Sequence, residues 1–167
     1  MHVTVQQVIS STPAWVWALL AALIIMGLRN SQEKPVNFIR MLIAPLIFMI
    51  WGLWTLTTKF DQVGYTLMSY ILFIIPGFVI GYLLNKAFQS FAAQAGIIYK
   101  KQSYLPLIVV LINFAVKYAL NVMLVFYHST LFHLIYSAAN GLTVGLFFGG
   151  ILYTLKMQTE LRSAAVR

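Results

Sequence analysis

Four stretches of this chain run without a single Asp, Glu, Lys or Arg: Val3 to Leu28, Met41 to Thr58, Gln62 to Asn85 and Tyr118 to Leu155. A helix needs about 20 mostly apolar residues to cross a bilayer, so runs of this length read as bilayer segments rather than buried core helices. Inside hydrocarbon the backbone must satisfy its own hydrogen bonds, which leaves helix bundles or closed barrels. No segment alternates apolar and polar residues in the manner of a barrel strand. The expected fold class is therefore all-α, a polytopic membrane protein. Composition agrees, with 61% hydrophobic and 8% charged residues, against about 25% charged in a soluble domain.

Five spans are expected, over about 13–29, 38–57, 64–84, 105–127 and 134–155. Pro13 suits a helix start, and the polar turn from Arg29 to Pro35 reads as the end of a retained span rather than a signal cleavage site. Pro45 lies one turn into the second span. Pro76 is expected to kink the third, beside a Gly77/Gly81 pair that permits close backbone approach. Residues 85–104 form the one sizeable non-spanning segment. Phe88, Phe91, Ala92 and Ala95 recur at helical spacing before Gly96, which predicts a short interfacial helix ending at that glycine. From Ile97 to Tyr104 the chain reads as extended, in the manner of a small hairpin. After a turn from His128 to His133 comes the fifth span, then a polar, basic tail from Lys156.

Basic residues set the orientation. With five spans, one side receives Arg29, Lys34, Arg40, Lys86, Lys100, Lys101, Lys156, Arg162 and Arg167, and the other only Lys59. Nine against one is a positive-inside signal, placing the N-terminus outside and the C-terminus in the cytoplasm. Trp15, Trp17, Trp51 and Trp54 all fall at the outer interface on this count. The net charge of +8 is thus explained by topology and anionic lipid, without nucleic acid.

One residue breaks the apolar rule. Lys117 lies near the middle of the fourth span, and Asn113 and Asn121 stand four residues to either side, on the same helix face. A lysine at the centre of a spanning helix costs about 2.5–3.5 kcal/mol on insertion scales and normally faces a bundle interior or water. The acidic residues, Glu33, Asp61 and Glu160, all lie outside the spans. The expected partners of Lys117 are Asn113, Asn121, a carbonyl freed by Pro76, water or an anionic ligand. Two readings stay open: interhelical glue, or a binding face for an anionic or polar solute.

Ser137, Gly141, Gly145 and Gly149 repeat every four residues along the fifth span, a small-residue seam for tight packing within the chain or against a second copy. His128 and His133 would suit a haem- or quinone-linked redox subunit only if a loop converged them, and no metal or cofactor site is expected. There is no cysteine, which excludes disulfides and thiol chemistry. No triad, paired carboxylates or phosphate loop is present, so no catalytic residues are expected.

The segments Thr12-Pro13-Ala14-Trp15-Val16-Trp17, Arg40 at the entry to span two, Ser103-Tyr104-Leu105-Pro106-Leu107 and Lys117-Tyr118 together resemble the CcdC-like membrane proteins, small five-span bacterial inner-membrane proteins. In that family the third segment reads Ser-Trp-Leu-Pro-Leu; here Tyr104 replaces the tryptophan, and the preceding turn lacks the expected glycine. The resemblance implies a bacterial cytoplasmic-membrane location, no established activity and no catalytic residues to carry over. The leading expectation is a non-enzymatic membrane protein acting through helix packing and contacts with lipids, a second copy or another membrane protein. The alternative is a small transporter or binding protein using Asn113, Lys117 and Asn121.

The charge asymmetry is directly testable. Reporter fusions after Lys101 and after Arg167 should read cytoplasmic, and a fusion between His128 and His133 external. An external C-terminus would overturn the five-span count.

Overall fold

Five helices follow one another with a short sheet interposed: α1 (Ala14–Ser31), β1 (Lys34–Pro35), α2 (Phe38–Lys59), α3 (Val63–Phe88), β2 (Phe91–Gln94), β3 (Ile97–Lys100), α4 (Leu105–Leu124) and α5 (Thr130–Ala165). This computed structural model describes residues 14–60, 62–94, 97–124 and 129–165. Pro13, Asp61, Gly96, His128 and the expected end of the fourth span at Tyr127 lie outside the described residues. Helices α2 to α5 are each long and apolar enough to cross a membrane, and α1 carries a shorter apolar stretch, Val16–Arg29.

The tightest packing joins α3 to α5. A Cβ placed on Gly141 would collide with the Tyr70 carbonyl, one on Gly145 with the Ile74 carbonyl, and one on Gly149 with the Phe78 carbonyl. From the other side, Gly77 and Gly81 lie against the backbone of Leu142 and Leu146. The two helices meet backbone to backbone, and since both sets of numbers rise together, they run parallel. Ser69 adds an interhelical hydrogen bond, its Oγ donating to the Leu134 carbonyl at 3.1 Å. Ser137 is fully buried in the same seam, with its hydroxyl donating to His133 O of its own helix. The α5 seam is therefore occupied from within the chain, by α3.

The other helices are arranged around this pair. Phe48 of α2 stacks on Phe147 of α5 at 5.5 Å, and Phe60 beyond the end of α2 stacks on His133 at 4.3 Å. Helix α1 docks on α4, where a Cβ on Gly27 would come within 2.6 Å of the Leu107 side chain. These contacts make successive helices alternate in direction. A cluster of Leu56, Phe60, Tyr70, Leu120, Phe132, Tyr136 and Val144 closes the end away from the sheet. Trp17 and Trp54 are exposed near that same end.

The segment 85–104 departs from expectation. Its first residues continue α3 to Phe88, with the Gln89 amide still donating to Asn85 O. Phe91–Gln94 is then a strand rather than an interfacial helix, pairing antiparallel with β3. The extended reading of 97–104 holds for β3, and β1 joins its other edge in the order β1-β3-β2. The helical spacing of Phe88, Phe91 and Ala92 loses to antiparallel pairing with β3, whose other edge is held by β1 from the distant α1–α2 connection, a partner that local periodicity cannot register. Ser103 N–H donates to Ser31 O, and the Gln89 amide donates to Lys101 O, tying both connections to one end of the molecule.

Two further boundaries shift. Helix α5 starts at Thr130, inside the expected turn, because Ser129 Oγ accepts from the Phe132 amide as an N-cap. It continues to Ala165, through what reads in sequence as a polar tail. Its 36 residues extend about 54 Å, well past a hydrocarbon core of about 30 Å. Helix α3 runs on through Pro76 as one helix.

Gly145→Leu forces a branched side chain into backbone of α3. A loss of about 1–3 kcal/mol or more is expected, read as a lower melting midpoint in detergent. Melting like the parent would mean that the two helices do not touch there.

Candidate functional site

Helix α4 begins where Ser103 Oγ accepts from the Leu105 amide, with Pro106 in the first turn where its missing N–H does no harm. Lys117 then falls about 18 Å along the helix axis from that start. Its ammonium sits 4.5 Å from the centroid of the Phe48 ring on α2, and Phe48 in turn stacks on Phe147 of α5. Three helices are thus linked through one cation and two rings. A cation over an aromatic face contributes about 0.5–2 kcal/mol, towards the upper figure when desolvated.

The two asparagines that share the Lys117 face turn towards α5. Asn113 is buried, and its Oδ1 accepts from Thr143 Oγ1 at 2.8 Å. Its Nδ2 is buried without a hydrogen-bond partner. Asn121 donates to the Lys117 carbonyl at 2.8 Å, and its Oδ1 faces the Tyr136 hydroxyl at 3.4 Å. The structure therefore brings Asn113, Lys117 and Asn121 against neighbouring helices at three separate points. The aromatic partner of Lys117 is a Phe48 contact that was not among the groups expected from sequence.

Other polar residues join them that sequence reasoning did not single out. Tyr136 and Thr143 of α5 carry the hydrogen bonds just described. Asn140, between them and buried, donates to the Tyr136 carbonyl at 2.9 Å. Tyr70 of α3 is buried with its hydroxyl unpaired, and a Cβ on Gly52 of α2 would lie 3.5 Å from that oxygen and 3.8 Å from Asn140 Oδ1. The available signal was simple: each is a polar side chain inside an uncharged span. The small residues Ser137, Gly141, Gly145 and Gly149 line the opposite, α3-facing side of the same helix.

His133 stacks on Phe60, and among the described residues no three His, Cys, Asp or Glu side chains gather as a metal site would require. The chain matches no protein-family model, no curated protein and no solved structure.

At the sheet end the charges are positive. Lys34 and Lys100 are directly opposed across the β1–β3 ladder, and Lys100 also faces Phe91 across β2–β3. Opposed residues of an antiparallel pair share one face, and like charges so placed repel. Burial pushes the Lys100 ammonium down from its ordinary value to about 8. Its folded pKa is below its unfolded one, so the unfolded chain holds more protons between about pH 8 and 10.5, and stability rises with pH across that window. The melting midpoint should climb between pH 8 and 10 in the parent, and distinctly less in Lys100→Met. Equal climbs would assign the effect to other groups.

Proposed function

We propose that this chain is a five-span, non-enzymatic inner-membrane protein that works through helix packing and contacts with lipids or a membrane partner. In this reading its N-terminus lies outside, its C-terminus lies in the cytoplasm, and the chain is one of the CcdC-like membrane proteins that its short motifs resemble. Three features support it: the nine-to-one distribution of basic residues, the alternating helix directions, and the gathering of the α1–α2 and α3–α4 connections into one sheet.

The observation that carries the non-enzymatic part is the use of the intramembrane polar groups. Lys117 lies over Phe48, Asn113 accepts from Thr143, and Asn121 meets Tyr136. Each contact crosses between helices and fixes their packing, which is the role of polar glue. A second reading, a binding face for an anionic or polar solute, draws on one specific observation: the buried Nδ2 of Asn113 has a hydrogen to donate and no acceptor.

Lys117→Met separates the two. Under the packing reading it keeps the shape and removes a charge that is costly to bury, so stability should change by less than about 1 kcal/mol or rise. Under the solute reading it should abolish ligand-induced stabilisation while Lys117→Arg retains part of it. A ligand at about a hundred times its Kd contributes about 2.7 kcal/mol, readily seen in a thermal-shift screen of anionic solutes on parent and variant. A solute that protects the parent and not Lys117→Met would overturn the packing reading.

A further inference from the structure

Where α3 and α5 approach backbone to backbone at Gly149 and Phe78, the larger side chains flanking the seam stand out on either side. Between them lies an open groove of about 500 Å³, lined by Phe78, Val79, Tyr82 and Leu83 of α3 and by Leu152 and Lys156 of α5. Val79, Leu83 and Leu152 are exposed apolar side chains, so the floor and walls suit a hydrocarbon chain.

The mouth of the groove, towards the sheet, is polar and positive. Lys156 Nζ donates to the Tyr82 hydroxyl at 3.4 Å. It also lies 3.8 Å from Glu160 Oε1, an exposed pair of the kind that contributes little and is readily exchanged for a stronger anion. Lys86 follows Tyr82 by one helical turn on the same face of α3 and is exposed. The ring of Tyr82 meets Tyr153 edge-on at 5.5 Å, and Tyr153 meets Phe91, the cross-strand partner of Lys100. The groove therefore opens beside the basic sheet.

We infer that the α3–α5 groove is a binding site for one anionic phospholipid, its acyl chain along Phe78, Val79, Leu83 and Leu152 and its phosphate beside Lys156, Lys86 and the Tyr82 hydroxyl. Apolar length and positive charge occur here in the order that such a lipid presents them. Tyrosine is enriched at membrane–water interfaces, and the Tyr82 hydroxyl, beside Lys156, offers a donor to a headgroup. This inference rests on the lipid-contact part of the proposed function and names the lipid class and the place.

The test is lipid titration of the detergent-purified full chain, followed by thermal shift and by retention of bound lipid in native mass spectrometry. The probes are phosphatidylglycerol, phosphatidylcholine with identical chains, and glycerol phosphate as the headgroup alone. Phosphatidylglycerol should protect the parent at lower concentration than phosphatidylcholine, and glycerol phosphate should not protect. Lys156→Gln should weaken phosphatidylglycerol about fivefold, the contribution of one basic residue near a lipid surface. Glu160→Gln, which frees Lys156, should strengthen it. Val79→Trp should fill the groove and abolish retention of both lipids, while its melting without added lipid stays that of the parent. Equal protection by the two lipids, unchanged binding in Lys156→Gln, or full protection by glycerol phosphate would each overturn the site. Because none of these variants touches Lys117 or its partners, the site can fail while the outcome at Lys117 still supports the packing reading.

Discussion

The close approach of α3 and α5 is the contact on which the rest of the molecule depends. In hydrocarbon, apolar side chains gain little by leaving lipid for protein, so helix association relies on dispersion and on hydrogen bonds at short range. At Gly77, Gly81, Gly141, Gly145 and Gly149 an added Cβ would run into the facing backbone, so glycine there lets the helices close. Both helices then present the same few backbone groups to each other along their length, with Ser69 bonded across the gap. Helix α2 packs on the remaining face of α5, and α4 is joined to it by polar contacts.

Those polar contacts follow a common logic. A group such as Asn113 or Tyr136 cannot exchange its protein partner for water within an apolar span, so it fixes one relative position of two helices. Lys117 does this through Phe48, whose ring meets the ammonium and also stacks on Phe147. The Asn113 Nδ2 and the Tyr70 hydroxyl, buried without hydrogen-bond partners, mark where this satisfaction stops.

The small sheet does for the ends what the glycines do for the middle. By pairing Lys34–Pro35 with Ile97–Lys100, it joins two connections that are far apart in sequence. It also concentrates Lys34, Lys100 and Lys101 near the end where α5 carries Lys156 and Arg162. Backbone pairing tolerates this because the strands are short, and burial lowers the pKa of the Lys100 ammonium.

Much of the bundle is readable from uncharged runs alone. Four-residue spacing identified the Ser137-to-Gly149 stripe, and Lys117 announced itself by charge, because each of these signals is local to one helix. What covers them is a different matter. The stripe by itself fits a second copy as well as α3, and only the parallel alignment of Tyr70, Ile74 and Phe78 beside it decided the partner. Phe48 is one of 12 phenylalanines and carries no mark of its role; the cation that it receives comes from a helix almost 70 residues further along. The strand at Phe91–Gln94 escapes local periodicity because its hydrogen-bonding partner lies in β3, itself anchored by β1. Local pattern determined which segments are helical and apolar, whereas tertiary structure decided which faces meet, since contact energy belongs to pairs of residues that sequence order keeps apart.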